Sequence, residues 1–167
     1  MTETFPADAL VEELAAQTRA LITTRGLAAP AMVGVHTGGA WVAQRLHRLL
    51  GLEQPLGTLD ISFYRDDFTR KGLNPLVKPS NLPFDIDDRN ILLVDDVLHT
   101  GRTVRAAMNE LFDYGRPASI VLIVLAERPG RELPIEPAIC GRHFALAAHQ
   151  HIKLTGPDSL RLEVLDS

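Results

Sequence analysis

The sequence contains very little cysteine and no long apolar run. Cys140 is the only cysteine, which excludes an intrachain disulfide and a zinc site built from several cysteines. The longest apolar run, Ile120 to Ala126, is far shorter than the about 20 residues that a membrane helix needs. The first ten residues lack the basic and apolar regions of a secretion signal. We therefore expect a cytoplasmic protein that does not contact a membrane.

A large excess of charge of one sign is also missing. The chain has 17 basic and 21 acidic residues, for a net charge of −4 with histidine neutral. Nucleic-acid-binding domains commonly carry a clear basic excess, so the overall charge does not favour that class. The length of 167 residues is ordinary for one domain. We predict a single domain over residues 1–167.

The hydrophobic pattern predicts alternating helices and strands. Helices are predicted over residues 8–25, 40–50 and 104–114, with Asp8 as the cap of the first. Continuous apolar strands are predicted over residues 31–35, 90–94 and 119–126, and shorter strands around residues 138–140, 151–153 and 161–164. Uninterrupted apolar strands between helices are typical of a parallel sheet covered by helices on both faces. The predicted fold class is therefore α/β.

Residues 58–83 do not continue the pattern of helices alternating with continuous apolar strands. Apolar and polar residues alternate from Thr58 to Arg65, which predicts a half-exposed strand. Residues 66–83 then show no periodicity and contain several prolines. An irregular segment of this length inside a compact domain is typically functional or disordered. We predict a flexible loop that closes over a site.

The most informative segment is the strand at Ile91–Val94 and the turn that follows it. The strand ends in Asp95 and Asp96, and a turn over His99–Thr103 opens a helix. In open α/β sheets, ligands bind beyond the carboxyl ends of the strands. The helix N-terminus provides unpaired N–H groups for an anion, while carboxylates suit sugar hydroxyls. The pattern therefore predicts a site for a phosphorylated ribose.

This segment resembles the thirteen-residue phosphoribosyl-pyrophosphate motif of type I phosphoribosyltransferases. Further strings resemble one branch of that family, the PyrR proteins, which regulate pyrimidine operons and also have uracil phosphoribosyltransferase activity. These strings are Asp60–Asp67, Pro75–Lys78, Gly115–Pro117 and Arg131–Ile135. The resemblance implies the type I fold with a small hood, and the conversion of uracil and phosphoribosyl pyrophosphate into UMP and pyrophosphate with Mg²⁺.

The resemblance also assigns roles to individual residues. It implies that Asp95 and Asp96 hold the ribose hydroxyls, directly or through a cation, and that Arg65 approaches the leaving group. The implied substrate-binding residues are Thr37, Gly38, Gly39, Val97, Leu98, His99, Thr100, Gly101, Arg102, Thr103 and Arg128. No metal ligand is assigned from protein side chains beyond Asp95 and Asp96.

Two departures from the PyrR pattern affect the expected function. Most PyrR proteins have Thr-Arg-Gly where this chain has Thr37-Gly38-Gly39, so a cation is missing from the pyrophosphate loop. We expect this loss to weaken transferase activity, and an arginine at position 38 to restore it. The helix over residues 8–25 carries Arg19 and Arg25 against three acidic residues. Because phosphate contacts dominate RNA affinity, this composition speaks against RNA binding through that helix.

Several alternatives remain open at the level of the sequence. A UMP-sensing regulator with little or no transferase activity is the main alternative to an enzyme. His149 and His151 could form part of a metal site, but a third ligand is missing nearby. Cys140 is interpreted as an inert structural thiol. The resemblance further implies a homodimer or larger oligomer.

Overall fold

The computed structural model describes residues 2–61 and 80–166. Its helices and strands follow one another along the chain as β1 (Glu3–Pro6), α1 (Asp8–Arg25), β2 (Ala31–Val35), α2 (Gly38–Leu50), β3 (Gly57–Leu59), β4 (Asn90–Leu98), α3 (Arg102–Tyr114), β5 (Ser119–Glu127), β6 (Ile139–His143), β7 (Gln150–Thr155) and β8 (Arg161–Asp166).

Five strands form the central sheet, in the order β3-β2-β4-β5-β6, and all neighbouring pairs are parallel. The chain runs outward from β2 to β3 and then returns to continue from β4 through β6. The direction of winding therefore changes between β2 and β4. In open α/β sheets, the crevice for the ligand lies at this switch point, beyond the carboxyl ends of the strands.

Helices cover both faces of this sheet. On one face, Leu14 of α1 and Leu46 of α2 belong to the same buried cluster as Leu92 of β4. On the other face, Leu111 of α3 packs in a cluster with Leu93 of the same strand. Because adjacent strand residues point to opposite faces, the continuous apolar run of β4 serves both clusters. The predicted α/β class and parallel sheet are confirmed.

A second, antiparallel sheet has the order β1-β8-β7, and we call it the hood. The N–H of Ala7, just after β1, donates to the carbonyl of Leu160, just before β8, at 3.0 Å. The turn between β7 and β8 packs on α2, where a Cβ on Gly156 would lie 3.1 Å from the Trp41 ring. The hood is thus fixed beside the N-terminal half of α2.

The structure differs from the sequence-based expectations in a few elements. Ala7, not Asp8, is the N-cap of α1, and α1 has no side-chain cap hydrogen bond. The strand predicted from Thr58 is β3, which ends at Leu59, and Asp60 is buried rather than exposed. Residues 62–65 of the predicted strand and residues 66–79 of the predicted loop lie outside the described residues. Strand β1 was not predicted.

Within residues 2–61 and 80–166, no helix combines the length and the apolar character needed to cross a membrane.

Candidate functional site

The acidic pair lies at the carboxyl end of β4, next to the switch point of the sheet. Asp95 is buried, with 4% of its surface exposed, and Asp96 is partly buried. One oxygen of each carboxylate accepts the backbone N–H of the next residue, at 2.9 Å for Asp95 and 2.8 Å for Asp96. These bonds fix both carboxylates against the end of the strand.

The first turn of α2 packs directly on this pair. A Cβ on Gly38 would lie 2.8 Å from Cγ of Asp96. A Cβ on Gly39 would lie 2.8 Å from the carbonyl oxygen of Val94 and 3.0 Å from Cα of Asp95. Because both contacts are closer than a methyl group tolerates, the two glycines allow the helix N-terminus to approach the carboxylates. The predicted Thr37-Gly38-Gly39 turn and the acidic pair therefore form one site.

Beyond the acidic pair, the chain forms a small pocket of about 140 Å³. We call the turn over His99–Thr103 the phosphate loop, since it leads into the N-terminus of α3. The pocket is lined by Asp95, Val97, Leu98, His99, Thr100, Gly101, Thr103 and Val104. The first N–H groups of a helix have no partner within it and carry a partial positive charge. The pocket is therefore suited to a phosphate group.

The phosphate loop is held from behind by the segment after β5. Arg131 donates through Nη1 to the carbonyl of His99 at 2.7 Å and through Nη2 to Oε2 of Glu127 at 3.2 Å. The carbonyl of Thr100 accepts the N–H groups of Glu132 at 2.9 Å and Leu133 at 3.1 Å. Only 19% of the Arg131 side chain is exposed. Arg131 therefore ties the loop, at the carbonyl of His99, to Glu127 at the end of β5.

The position of Arg131 was not predicted from the sequence. In the sequence, Arg131 stands out only as the first residue of the Arg131–Ile135 string, which assigns it no contact. The phosphate loop and the segment that contains Arg131 lie side by side because β4 and β5 pair in parallel, with Leu98 opposite Glu127. This register places the residues after β5 beside the phosphate loop.

Not every predicted site residue lies in this pocket. Arg102 points outward, and its Nε donates to Glu132 at 2.7 Å, with 66% of its side chain exposed. Leu98 lines the pocket, and it is also a buried member of the apolar cluster on the α3 face of the sheet. Arg128 donates through Nη1 to the carbonyl of Gln150 in the hood at 2.7 Å. Arg65 lies outside the described residues.

His99 borders both the pocket and two arginines. Partial burial lowers the pKa of His99 below its ordinary value of 6.5, and the charges of Arg128 and Arg131 act in the same direction. At neutral pH the imidazole is therefore uncharged. The anion-binding character of the pocket at this pH depends on backbone N–H groups rather than on a histidine cation.

The two carboxylates have the chemistry of a Mg²⁺ site that is completed by substrate. Among the described residues, Asp95 and Asp96 are not joined by a third histidine, cysteine or carboxylate in a set of close potential ligands. Mg²⁺ commonly binds to one or two carboxylates and takes its other ligands from water and substrate phosphates. The acidic pair fits a Mg²⁺ ion of this kind.

The chain is similar to known phosphoribosyltransferases. The profile of the family described as Phosphoribosyl transferase domain matches residues 6–141. The chain is 56% identical over 158 residues to the Bifunctional protein PyrR of Pseudomonas paraeruginosa, covering 95% of this chain and 92% of that protein. It is 53% identical over 161 residues to the protein of the same name from Pseudomonas fluorescens, covering 96% and 95%.

Solved structures with the same fold include two phosphoribosyltransferases. The purine phosphoribosyltransferase from Pyrococcus horikoshii superimposes with a TM-score of 0.62 at 26% identity, covering 82% of each chain. A hypoxanthine phosphoribosyltransferase from Staphylococcus aureus gives a TM-score of 0.64 at 19% identity, covering 85% of this chain and 77% of that one. The second similarity concerns the fold alone.

Proposed function

Since this chain belongs to the phosphoribosyl transferase domain family and, within it, to the PyrR proteins, we propose that it converts uracil and phosphoribosyl pyrophosphate into UMP and pyrophosphate. The bond between C1 of the ribose and pyrophosphate breaks. A bond forms between that carbon and a ring nitrogen of uracil, whose proton passes to solvent. The observation that carries the proposal is the convergence of the acidic pair, the Gly38-Gly39 turn and the phosphate loop.

In this proposal, Asp95 and Asp96 bind the ribose hydroxyls. Each carboxylate is held by a backbone N–H at one oxygen, so its orientation is set before substrate arrives. The ribose gains positive charge as the leaving group departs. Two fixed negative charges beside the sugar stabilise that charge without having to reorient. Catalysis then depends mainly on positioning and electrostatics.

The phosphate loop would bind the 5′-phosphate at the N-terminus of α3. The pocket of about 140 Å³ is bordered by the hydroxyl-bearing residues Thr100 and Thr103 and by the backbone at Gly101. Hydroxyl and N–H donors together suit a phosphate dianion. Because Arg131 holds the loop through the carbonyl of His99, its contribution is one of positioning.

The pyrophosphate group would lie against Thr37, Gly38 and Gly39, at the N-terminus of α2. Mg²⁺, when bound, neutralises charge on the leaving pyrophosphate. Asp95 and Asp96 are the residues of this chain that would orient the ion and the ribose together. Since a glycine occupies position 38, the backbone N–H groups of α2 supply the positive end of this subsite.

The second proposed activity is pyrimidine-responsive regulation of pyr gene expression, as the word bifunctional in the names of the relatives suggests. Helix α1 carries only two cations, Arg19 and Arg25, and so offers little attraction for RNA phosphates. Arg19 donates to the carbonyl of Leu49 at 2.8 Å. We therefore propose regulation in response to UMP without assigning RNA to α1. A homo-oligomer in the cytoplasm is part of the same proposal.

The direct test is UMP formation from uracil, phosphoribosyl pyrophosphate and Mg²⁺, measured together with UMP binding by calorimetry. We expect a turnover of about 1 s⁻¹ or more, an ordinary value for an enzyme. UMP binding with negligible turnover would instead support a sensor without transferase activity. That alternative is not favoured, because the relatives are described as bifunctional. Turnover with another base but not with uracil would overturn the assignment of the substrate.

A further inference from the structure

Three potential metal ligands of different chemistry converge at the carboxyl ends of β5 and β6. Glu127 ends β5, while Cys140 and His143 lie on β6. One carboxylate oxygen, the Cys140 sulfur and one ring nitrogen of His143 all lie within 4.8 Å of one another. The two strands pair in parallel, with Glu127 opposite His143, so the sheet itself holds the cluster together. We propose that these residues bind a thiophilic divalent cation, with Zn²⁺ as the representative ion.

The donor set is the basis for the choice of ion. Zinc is commonly bound by cysteine sulfur, histidine nitrogen and carboxylate oxygen, and open sites have three protein ligands and one water. A thiolate and an imidazole disfavour Mg²⁺, which prefers oxygen ligands in a nearly octahedral arrangement. The cluster therefore selects a different ion from the one that accompanies phosphoribosyl pyrophosphate at Asp95 and Asp96.

The surroundings already orient the ligands. Oε1 of Glu127 lies 2.8 Å from Nδ1 of His143, and Oε2 accepts Nη2 of Arg131 at 3.2 Å. Arg131 thus holds the Glu127 carboxylate without being a ligand itself, and a hydrogen-bond partner of this kind is typical of metal sites. The side chain of His143 is 73% exposed while that of Glu127 is 17% exposed. An ion can therefore enter from the solvent on the side of His143.

Cys140 is otherwise poorly suited to chemistry of its own. Burial raises the pKa of its thiol to about 11, and the charge of Glu127 adds to this effect. Since the thiolate is the nucleophilic form, a thiol of this kind is unreactive at neutral pH. This property argues against a catalytic or redox role. A cation that binds at this cluster has to displace the thiol proton.

The experiment uses Co²⁺ as a spectroscopic probe for the zinc site. Because Cys140 is the only cysteine in the chain, any thiolate-to-Co²⁺ charge-transfer absorption must come from this residue. We expect one equivalent of Co²⁺ to produce that absorption in the wild-type protein, and Zn²⁺ to abolish it by displacement. Excess Mg²⁺ should have no effect. The Zn²⁺ affinity is then measured by competition with a chromophoric chelator.

Two variants and one control define the ligands. Cys140→Ser should abolish the charge-transfer absorption. His143→Ala should weaken Zn²⁺ binding by more than the about 10- to 100-fold that loss of an outer-shell partner costs. His151→Ala, which removes an exposed histidine of β7, should leave the affinity unchanged. Circular dichroism of the metal-free proteins establishes that each variant folds.

Two results would overturn the proposal. The first is the lack of any thiolate absorption with Co²⁺ in the folded wild-type protein. The second is an affinity for Zn²⁺ in His143→Ala equal to that of the wild type, which would reduce the site to a single thiol. Because His143 is exposed, this variant remains informative even if Cys140→Ser fails to fold.

Discussion

The carboxylate of Asp96 occupies the space where a side chain at position 38 would begin. A Cβ on Gly38 would lie 2.8 Å from Cγ of Asp96, which is closer than a Cβ atom approaches the atoms of a side chain that it packs against. The Gly-Gly turn of α2 is therefore matched to the acidic pair of β4. From the sequence, Gly38 was interpreted only as the loss of a cation. The contact with Asp96 adds a steric reason for glycine at this position.

Substitution of Gly38 should therefore lower activity, whatever the charge of the new side chain. Both Gly38→Ala and Gly38→Arg force Asp96 to rotate away from its bond with the N–H of Val97. Misplacement of a positioning group by about 1 Å can cost about 100-fold in rate. We expect kcat/KM for phosphoribosyl pyrophosphate to fall by about 10- to 100-fold in both variants. The measurement is steady-state UMP formation.

The pair of variants separates sterics from charge. If the missing cation limits the wild-type enzyme, Gly38→Arg will exceed the wild type while Gly38→Ala falls below it. That outcome would contradict the steric account and support the expectation derived from the sequence.

Gly39→Ala should affect stability more than Gly38→Ala does. A Cβ on Gly39 meets the backbone of Val94 and Asp95, whereas a Cβ on Gly38 meets a side chain that can rotate. Overpacking against an interior that cannot move typically costs about 1–3 kcal/mol. For a domain of this size, about 1 kcal/mol corresponds to about 2–4 °C in Tm. Thermal unfolding of the two variants side by side checks this, and equal Tm values would count against the argument.

Arg131→Lys should raise KM for phosphoribosyl pyrophosphate. A lysine keeps the charge but cannot donate at once to His99, Glu127 and the carbonyl of Ile135, as the guanidinium does. Loss of one hydrogen bond from a charged donor costs about 1.5–3 kcal/mol, which is about tenfold or more in affinity. We expect kcat to change less than KM, because Arg131 positions the loop and does not touch the reacting atoms. Arg116→Lys, an exposed arginine, is the matched control.

A partly buried carboxylate on α3, that of Glu110, sets a pH dependence of stability. Oε1 of Glu110 accepts the hydroxyl of Ser80 at 2.6 Å, while Oε2 is buried and has no hydrogen-bond partner among residues 2–61 and 80–166. Burial raises the pKa of Glu110 above its ordinary value of 4.5, and the nearby charges of Asp60 and Asp113 add to this. Glu110 therefore binds its proton more tightly in the folded state than in the unfolded chain. The stabilisation that comes from protonated Glu110 is complete below pH 4.5. It is lost as the pH rises through the pKa that Glu110 has in the folded protein.

Glu110→Gln should therefore stabilise the protein at pH 8 and have little effect at pH 4. The amide is uncharged at both pH values and can still accept the hydroxyl of Ser80. We expect a Tm at pH 8 that is a few degrees higher than that of the wild type. Glu12→Gln, at an exposed position of α1, provides a control with the same change of charge. A shift of equal size at both pH values would show that burial of the charge is not the cause.

Most of the fold could be predicted from the sequence, because its strongest signals are local. The helical stripe over residues 8–25 and the apolar runs that became β2, β4 and β5 depend on the period of neighbouring residues. Strand β1 could not be predicted, since four mostly exposed residues carry no such signal. It exists because β8, at the other end of the chain, pairs with it.

The candidate site was predictable only in part, for a similar reason. The acidic pair and the phosphate loop are contiguous in the sequence, and their order is itself the signal. Arg131 reaches the loop through tertiary packing, which spacing does not indicate. The cluster of Glu127, Cys140 and His143 was missed because strict alternation along a strand would place residues 140 and 143 on opposite faces. Such convergence is visible only in three dimensions.

Asp96→Asn tests most directly whether the acidic pair of β4 binds the ribose of phosphoribosyl pyrophosphate. The control is Asp88→Asn. Residue 88 lies just before β4, at the end of the strand away from Asp96, and its φ of +56° is one that asparagine adopts readily. The measurement is kcat/KM for phosphoribosyl pyrophosphate at saturating uracil and Mg²⁺. We expect a loss of at least about tenfold for Asp96→Asn and none for Asp88→Asn. Equal values for Asp96→Asn and the wild type would contradict this role of the acidic pair.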